Sequence, residues 1–378
     1  MTDKSPILQI QYVDPDEGWE GYLVIDSLVN GVSGGGLRVT KTVDFDEVRG
    51  LARAMSLKNH VMGLPLGGAK SAVRYDPAAP ELPDVLTKFM RHIGPICRQM
   101  YGWGPDMNTP PHLCDSVADR AGMKSRHMAL AERSEHGYAG VDNYNRALRL
   151  QVGPVTMTEA RTAIGVVGAT ECAAKLLELG GPLRVAIQGF GSVGSGAVYF
   201  LDQRGHRIVG VADAGGAYEK ADGLDFDTLL AAKGDGREID PAKVPDEQRA
   251  GDPDAIFDVE CDVLILAALS GALTEERARR VRAKMVVEGG NLAVTDAGAA
   301  VLAERGIPSV PDFIVNGGGI GIVSGVIQLG WKCDANYILE QIESRVAAAT
   351  ERTVRYAKQH GGTLRAAAYA LLPERLRP

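Results

Sequence analysis

The feature that most constrains this chain is a glycine turn set between a strand-like run and a helix-like one. Arg184-Val185-Ala186-Ile187-Gln188 reads as a short buried strand. Gly189-Phe190-Gly191-Ser192-Val193-Gly194 follows it, and Ala197-Val198-Tyr199-Phe200-Leu201 continues as a helix. A second apolar run, Ile208 to Ala212, ends at Asp213. That is about 20 residues on, where an acidic residue meets a ribose hydroxyl in dinucleotide-binding βαβ units. In such a unit the first glycine permits the tight turn, the second lets backbone approach a pyrophosphate, and the third lets helix pack on strand. The helix N-terminus offers unpaired N–H groups to the phosphates. Strand before, helix after and acid at the right distance together imply a dinucleotide site. The bland alternative is a glycine turn of an α/β fold without a ligand.

The rest of the composition narrows the class. With 378 residues the chain is long enough for two domains, and 45% apolar with 24% charged residues is ordinary for a globular protein. Net charge is −7 with no basic block, so nucleic acid is not an expected partner. Met1 to Pro6 shows no basic n-region followed by an apolar core, so no signal peptide is expected. No apolar run approaches the ~20 residues of a membrane span, and a cytoplasmic protein is the expectation. The five cysteines are scattered without a C-x-x-C pair, which suggests reduced thiols rather than a disulfide framework or a zinc site.

Along the chain, alternating runs at Leu8 to Tyr12 and Gly21 to Asp26 precede a glycine cluster, Gly34-Gly35-Gly36. A helix is expected from Asp44, with Glu47 in capping-box position and Val48, Leu51, Ala52 and Met55 at helical spacing. A second helix is expected over Thr158 to Glu178. Strand candidates Arg184–Gln188, Ile208–Ala212, Val263–Ala267, Met285–Glu288 and Ser309–Ile314 then alternate with helical stretches. That alternation predicts a mostly parallel sheet with helices on both faces. The tail from Asn336 to Leu376 reads as amphipathic helix.

Three side chains could carry chemistry. Lys58 falls beside the apolar stripe of its helix, where an ammonium needs an anion or a route to water. Lys70 follows Gly67-Gly68-Ala69, where backbone and ligand can approach closely. Two neighbouring lysines would split their roles, one holding a carboxylate and the other poised as a base. Asp106, in Trp103-Gly104-Pro105-Asp106-Met107-Asn108-Thr109-Pro110, is either a turn residue or a proton carrier at a cleft.

Taken in order, Gly35-Gly36-Leu37-Arg38, Lys58-Asn59, Gly67-Gly68-Ala69-Lys70, Pro105-Asp106, the glycine turn, Val287-Glu288-Gly289-Gly290-Asn291 and Pro311-Asp312-Phe313-Ile314-Val315-Asn316-Gly317-Gly318-Gly319 resemble the glutamate/leucine/phenylalanine/valine dehydrogenase family. The resemblance covers roughly residues 30 to 325. It implies an α/β fold of two domains, a substrate domain with a mixed sheet and a Rossmann dinucleotide-binding domain, with the active site in the cleft between them. The expected division is 1–152 for the substrate domain, 153–330 for the Rossmann domain and 331–378 for C-terminal helices packing back toward the substrate domain.

Such enzymes interconvert an L-amino acid and a 2-oxo acid plus ammonia with NAD(P). By resemblance, Lys58 pairs with the substrate α-carboxylate, Lys70 activates water and Asp106 passes protons to and from the amine. Gly36 lets backbone approach substrate. Asn291 and Asn316 match asparagines near the cofactor ribose, the nicotinamide and the substrate, and Thr162 matches a nicotinamide-binding threonine. The glycine turn, Gly189 to Gly194, would hold the cofactor. Asp213 favours NAD because a carboxylate repels a 2′-phosphate, although His206 and Arg207 lie nearby in sequence. A homo-oligomer is expected, with small-molecule partners only.

Absences bear on the substrate. Glutamate-specific members carry a lysine where Gly34 stands and a serine where Val323 stands, so both groups that would hold a distal carboxylate are missing. An apolar or aromatic side chain of the leucine/phenylalanine type is the reading. Other departures are Asn108 for a usual glycine, Ser71-Ala72 for Gly-Gly, and Gly290 and Gly317 for alanines. The segment from Gly122 to Gln151, with Met123, His127, Met128, His136, Tyr138 and Tyr144, matches no family motif. It is either a wall of the substrate pocket or an ordinary connection. Two alternatives stay open: an oxidoreductase on an unusual amine or imine in a specialised pathway, and a non-catalytic NAD(H)-binding regulator.

Overall fold

A computed structural model describes residues 5–233, 238–245 and 248–377. The expectation about Met1 to Pro6 falls largely on residues 1–4, outside the described residues. Strands β1 (Leu8–Val13), β2 (Glu20–Ile25), β3 (Ser33–Thr40), β4 (Gly67–Arg74) and β5 (Tyr101–Pro105) form one mixed sheet in the order β1-β2-β4-β3-β5. β1 and β2 are antiparallel, β2 meets β4 antiparallel, and β3 runs parallel to both β4 and β5. The register sets Gly34 beside Gly68 and Gly36 beside Gly104, so the glycines of three strands share the middle of the sheet. On its apolar side Leu23, Ile25, Leu37 and Val39 pack with Phe89 and Trp103.

The helix Phe45–Val61 is capped as the sequence predicts, with the Asp44 carboxylate accepting from the Glu47 amide at 2.8 Å. The reciprocal half of a capping box is replaced: the Glu47 carboxylate turns to Arg38 at 2.7 Å. A stronger partner has taken it, since a guanidinium–carboxylate bond outcompetes a neutral amide.

After a short hairpin of β6 (Gln151–Val152) and β7 (Val155–Thr156), the helix Met157–Leu176 starts at Thr156 with a complete capping box to Glu159. A seven-stranded sheet follows. Its strands are β8 (Arg184–Gln188), β9 (Arg207–Asp213), β10 (Gly216–Glu219), β11 (Arg249–Gly251), β12 (Val263–Leu266), β13 (Met285–Val287) and β14 (Ser309–Val310). Their order is β11-β10-β9-β8-β12-β13-β14, and only β10, antiparallel to both of its neighbours near one edge, runs against the rest. The chain leaves β8 to β9 on one side and returns to β12 on the other. The glycine turn after β8 therefore sits at the topological switch point, where open α/β sheets bind ligands.

One expected strand is shorter than the sequence suggested. Ser309–Ile314 is strand only over Ser309–Val310, and Asp312–Val315 is a helical turn. Pro311 between them has no N–H for the ladder and stands at the helix N-cap. The tail forms Ala335–His360, breaks at Gly361 and Gly362, both at positive φ, and resumes at Leu364–Ala370. Its long helix lies on Met157–Leu176. Its Arg345 donates to the Met62 carbonyl at 2.9 Å, and Arg53 of the first helix donates to the carbonyls of Arg375 and Arg377 at 3.1 Å. No helix among the described residues is long and apolar enough to cross a membrane.

Candidate active site

A cavity of about 380 Å³ lies between the two sheets and takes walls from both. From the mixed sheet come Lys70 on β4 and Asp106 just past β5, and Lys58 comes from the helix Phe45–Val61. The Lys70 ammonium stands 3.0 Å from Asp106 Oδ2. The same oxygen accepts from Arg38 Nε at 2.7 Å, and Arg38 Nη1 reaches Glu47. A Cβ on Gly36 would lie 2.8 Å from the Asp106 Cβ and 3.3 Å from Lys70 Nζ, so the pair can meet only over a glycine. The loop that carries Asp106 is pinned by Thr109. Its hydroxyl accepts from the Asp106 amide at 2.9 Å and donates to the Leu37 carbonyl at 2.5 Å. Asn108 has φ of 61°, a left-handed conformation that asparagine tolerates.

The elements of the seven-stranded half supply Asn291 and Asn316. Lys58 donates to Asn291 Oδ1, which also accepts from Asn316 Nδ2 at 3.1 Å, and Asn316 Nδ2 reaches the Gly289 carbonyl at 3.2 Å. Behind this loop Glu288, Asp312 and Arg365 form a cluster. Glu288 accepts from Ser309 at 2.8 Å and from Arg365 at 2.5 Å, and Asp312 accepts from the Leu292 amide at 3.0 Å.

Electrostatics separate the two lysines from ordinary ones. Burial pushes the Lys58 ammonium down to about 8; Lys70 adds to the effect, while Asp312 and Asp106 oppose it. Burial also lowers Lys70, outweighing the pull of Asp106. For Asp106 burial acts the other way, but Lys70 and Arg38 overcome it and hold the carboxyl below its usual value. A cation kept ready to release its proton thus sits in direct contact with a carboxylate kept ionised.

The glycine turn has the shape the sequence predicts. Gly189 takes φ of 97°, and a Cβ there would lie 2.7 Å from the Ala267 carbonyl carbon. A Cβ on Gly194 would come within 1.8 Å of the Gly189 carbonyl oxygen, so helix and turn pack as closely as backbones allow. Gly191 caps the helix Ser192–Gln203, and nothing lies within 4 Å of a Cβ placed on it. Gly191 and Ser192 are exposed, Val193 lines the cavity, and Phe190 sends its ring into the core. Thr162 lines the cavity from the first turns of Met157–Leu176, and Val323 lines it from the helix Gly318–Ile327.

Asp213 ends β9 away from this cavity. Its carboxylate accepts from the amides of Gly215 at 2.9 Å and Ile239 at 2.5 Å. His206, near it in sequence, is tied instead to the Leu183 amide and to Glu171.

Of the segment from Gly122 to Gln151, His127 and Tyr144 line the cavity, so part of it is a wall of the site. Met123 and Met128 belong to the core under the mixed sheet. Sequence reasoning assigned no role to Arg38, although a charge between Leu37 and Val39 in a strand was a visible signal. Ala267 and Ala268, which face the glycine turn from the end of β12, carried no signal at all.

Comparison with known proteins agrees with this architecture. The family model described as glutamate/leucine/phenylalanine/valine dehydrogenase matches residues 153–377, and the model for that family's dimerisation domain matches residues 7–121. An NAD-specific glutamate dehydrogenase of Staphylococcus aureus is 31% identical over 329 residues, 84% of this chain and 76% of the relative. The hetero-hexameric glutamate dehydrogenase of Thermus thermophilus, solved in a leucine-bound form, superposes with a TM-score of 0.77 at 26% identity, covering 98% of this chain and 88% of that one. The L-tryptophan dehydrogenase of Nostoc punctiforme shares the fold, with a TM-score of 0.68 at 17% identity over 98% of this chain and 96% of its own. With both family models matched in order and the fold shared throughout, this chain belongs to the glutamate/leucine/phenylalanine/valine dehydrogenase family.

Proposed function

We propose that this protein is an NAD-dependent dehydrogenase that reversibly deaminates an L-amino acid with an apolar or aromatic side chain, releasing a 2-oxo acid and ammonia. The observation that carries the reading is the convergence of Lys58, Lys70 and Asp106 on one cavity, two lysines of lowered basicity around one ionised carboxylate. The nucleotide fits the turn between β8 and its helix. Glycines clear the approach, the open helix N-terminus at Gly191 and Ser192 faces phosphates, and Thr162, Val193, Asn291 and Asn316 flank the nicotinamide end. Asp213 has spent two of its roughly four acceptor positions on backbone amides and keeps capacity for ribose hydroxyls. With His206 engaged elsewhere, its charge disfavours a 2′-phosphate, which supports NAD.

In the forward direction the Lys58 ammonium holds the α-carboxylate and Gly36 lets the substrate lie against backbone. A nicotinamide held by Thr162, Val193, Asn291 and Asn316 would supply the acceptor for the hydride that leaves Cα. Neutral Lys70 then removes a proton from the water that attacks the iminium carbon. Asp106, in contact with Lys70, carries protons to the nitrogen so that it leaves as ammonia. The side-chain part of the cavity is walled largely by apolar residues, with Arg161 also on the lining. Gly34 and Val323 replace the groups that would hold a glutamate carboxylate, and the space beyond them is bounded by Leu130, Ile320 and Tyr144. Burying an unpaired carboxylate there would cost several kcal/mol.

The same reading divides the chain into a substrate domain (1–152), a Rossmann domain (153–330) and a tail (331–378), in a cytoplasmic homo-oligomer. The match of residues 7–121 to a dimerisation domain supports the oligomer. The test is a spectrophotometric screen of amino acids against NAD and NADP, and of 2-oxo acids with ammonia against the reduced cofactors. Apolar or aromatic amino acids are expected to drive NADH formation, and Lys70→Ala to abolish it while NADH binding, read by fluorescence, survives. Glutamate as the preferred substrate would refute the side-chain assignment. Wild-type activity in Lys70→Ala would refute the base.

A further inference from the structure

At the side-chain end of the cavity stands a residue to which deamination gives nothing to do. His127 lines the wall beside Leu130 and Tyr144 and is only 4% exposed. Neither Nδ1 nor Nε2 has a hydrogen-bond partner, while the ring meets that of Tyr144 edge-on at 5.2 Å. Burial, reinforced by the neighbouring Arg126, pushes the imidazole down to about 3, so it is neutral in use. A neutral imidazole carries one donor and one acceptor nitrogen, and leaving both unpaired in a buried wall is unfavourable. Such an arrangement is retained where an incoming group supplies the missing bond.

The surroundings say what kind of group that is. Gly104 lines the same cavity without a side chain, and a Cβ there would meet nothing nearer than Arg126 Nη1 at 3.6 Å, so this wall leaves room for a ring. Arg126, next to His127, is paired through Nε with Asp115 at 2.8 Å, while its buried Nη1 has no partner and stands 3.6 Å from where a Cβ on Gly104 would be. The remaining walls, Leu130, Ile320 and Val323, are aliphatic. The end of the pocket therefore combines aliphatic walls with unpartnered hydrogen-bonding groups, the neutral His127 ring foremost, with Trp103 Nε1 and Arg126 Nη1 as further donors.

We propose that His127 is a specificity-determining residue and that the amino acid taken by this enzyme has an aromatic side chain ending in one neutral hydrogen-bonding group, a phenol hydroxyl or an indole N–H. The phenol can give or accept the bond, and the indole N–H gives it to the acceptor nitrogen. The inference rests on the dehydrogenase reading above and narrows its substrate class. A site built around such a bond discriminates strongly against an analogue that lacks it, because the buried polar atom is then left without a partner.

The experiment compares kcat/KM on the full-length protein for tyrosine against phenylalanine, and for tryptophan against its 1-methyl-indole analogue. The wild type is expected to favour the hydrogen-bonding member of at least one pair by about tenfold or more. His127→Phe and His127→Leu should collapse that ratio toward unity, and His127→Gln should retain part of it. NADH binding serves as the check that each variant is folded. A wild type with no preference in either pair overturns the proposal without any variant being made. A preference that persists in folded His127→Leu or His127→Phe overturns it as well. Glutamate turnover with no aromatic turnover would instead be the failure of the parent reading, and the two failures are told apart by the same screen.

Discussion

Arg38 binds two carboxylates at once, Asp106 through Nε and Glu47 through Nη1, each at 2.7 Å. It therefore ties the strand that carries Gly36, the loop that carries Asp106 and the start of the helix that carries Lys58 into one unit. Both Arg38 and Lys70 bond to Asp106 Oδ2, which leaves Oδ1 without a bond to either. The charges facing this group are Arg38 and Lys70 on Asp106, with Asp106, Arg38 and Glu47 acting on Lys70. Arg38 depresses both members of the pair, so its removal must raise both. On the mechanism proposed above, in which ionised Asp106 sets the acidic limb of log(kcat/KM) and neutral Lys70 its alkaline rise, Arg38→Met is expected to move the acidic limb to higher pH. The alkaline rise, set by neutral Lys70, is expected to move the same way. A pH profile that keeps its shape and position while activity merely falls would show that Arg38 acts on folding alone.

At the scale of elements, the tail helix Leu364–Ala370 reaches the site from behind. Arg365 pairs with Glu288 at 2.5 Å and Asp312 at 3.5 Å, and these flank the Gly289–Asn291 loop and the turn that ends at Asn316. Burial raises the Glu288 carboxyl, with Arg365 opposing, so loss of the guanidinium leaves a buried acid without its counter-charge. Arg365→Ala is expected to lower unfolding stability by about 3 kcal/mol, measured by denaturant titration, and to raise KM for amino acid through misplaced Asn291. An unchanged midpoint and unchanged KM would disprove the link.

Much of this element-level layout was legible in the chain. The glycine turn, the capped helix at Asp44 and the alternation of strands after residue 184 follow from local rules and appear where those rules place them. What local rules could not show is competition for partners. Glu47 abandons its cap for Arg38, and Pro311 converts an apolar run into strand, break and helical turn. The site divides in the same way. Lys58, Lys70 and Asp106 stood out as unusual residues in glycine-rich surroundings. Arg38, His127 and Arg365 gain meaning only from neighbours far away in sequence, since Arg365 lies 77 positions from Glu288.

For the whole molecule, Lys58 is a charged side chain that joins the two halves at the cavity. It belongs to the helix packed on the mixed sheet, yet its hydrogen bond is to Asn291 beyond β13. Its ammonium is buried with its basicity lowered to about 8, against an ordinary value near 10.5 in the unfolded chain. The folded state therefore binds fewer protons at this position than the unfolded state. The sign follows: this group's penalty is fully present below pH 8 and is relieved as pH rises from 8 toward 10.5. Lys58→Met should accordingly raise stability at pH 7, by as much as about 3 kcal/mol, while KM for the amino acid climbs. Thermal unfolding at pH 7 and pH 10 reads it, because the gain should shrink at the alkaline end. A variant less stable than wild type at both pH values would contradict this account.

The bond between Lys58 and Asn291 also makes the spacing of the two halves a chemical variable. Any parting of the halves wide enough to hydrate the lysine restores its appetite for a proton. Between pH 8 and the ordinary lysine range, gaping would draw a hydrogen ion from the buffer and shutting would return it. Alkalinity would then favour the shut form, and a shift of the population toward it would release protons into a lightly buffered solution.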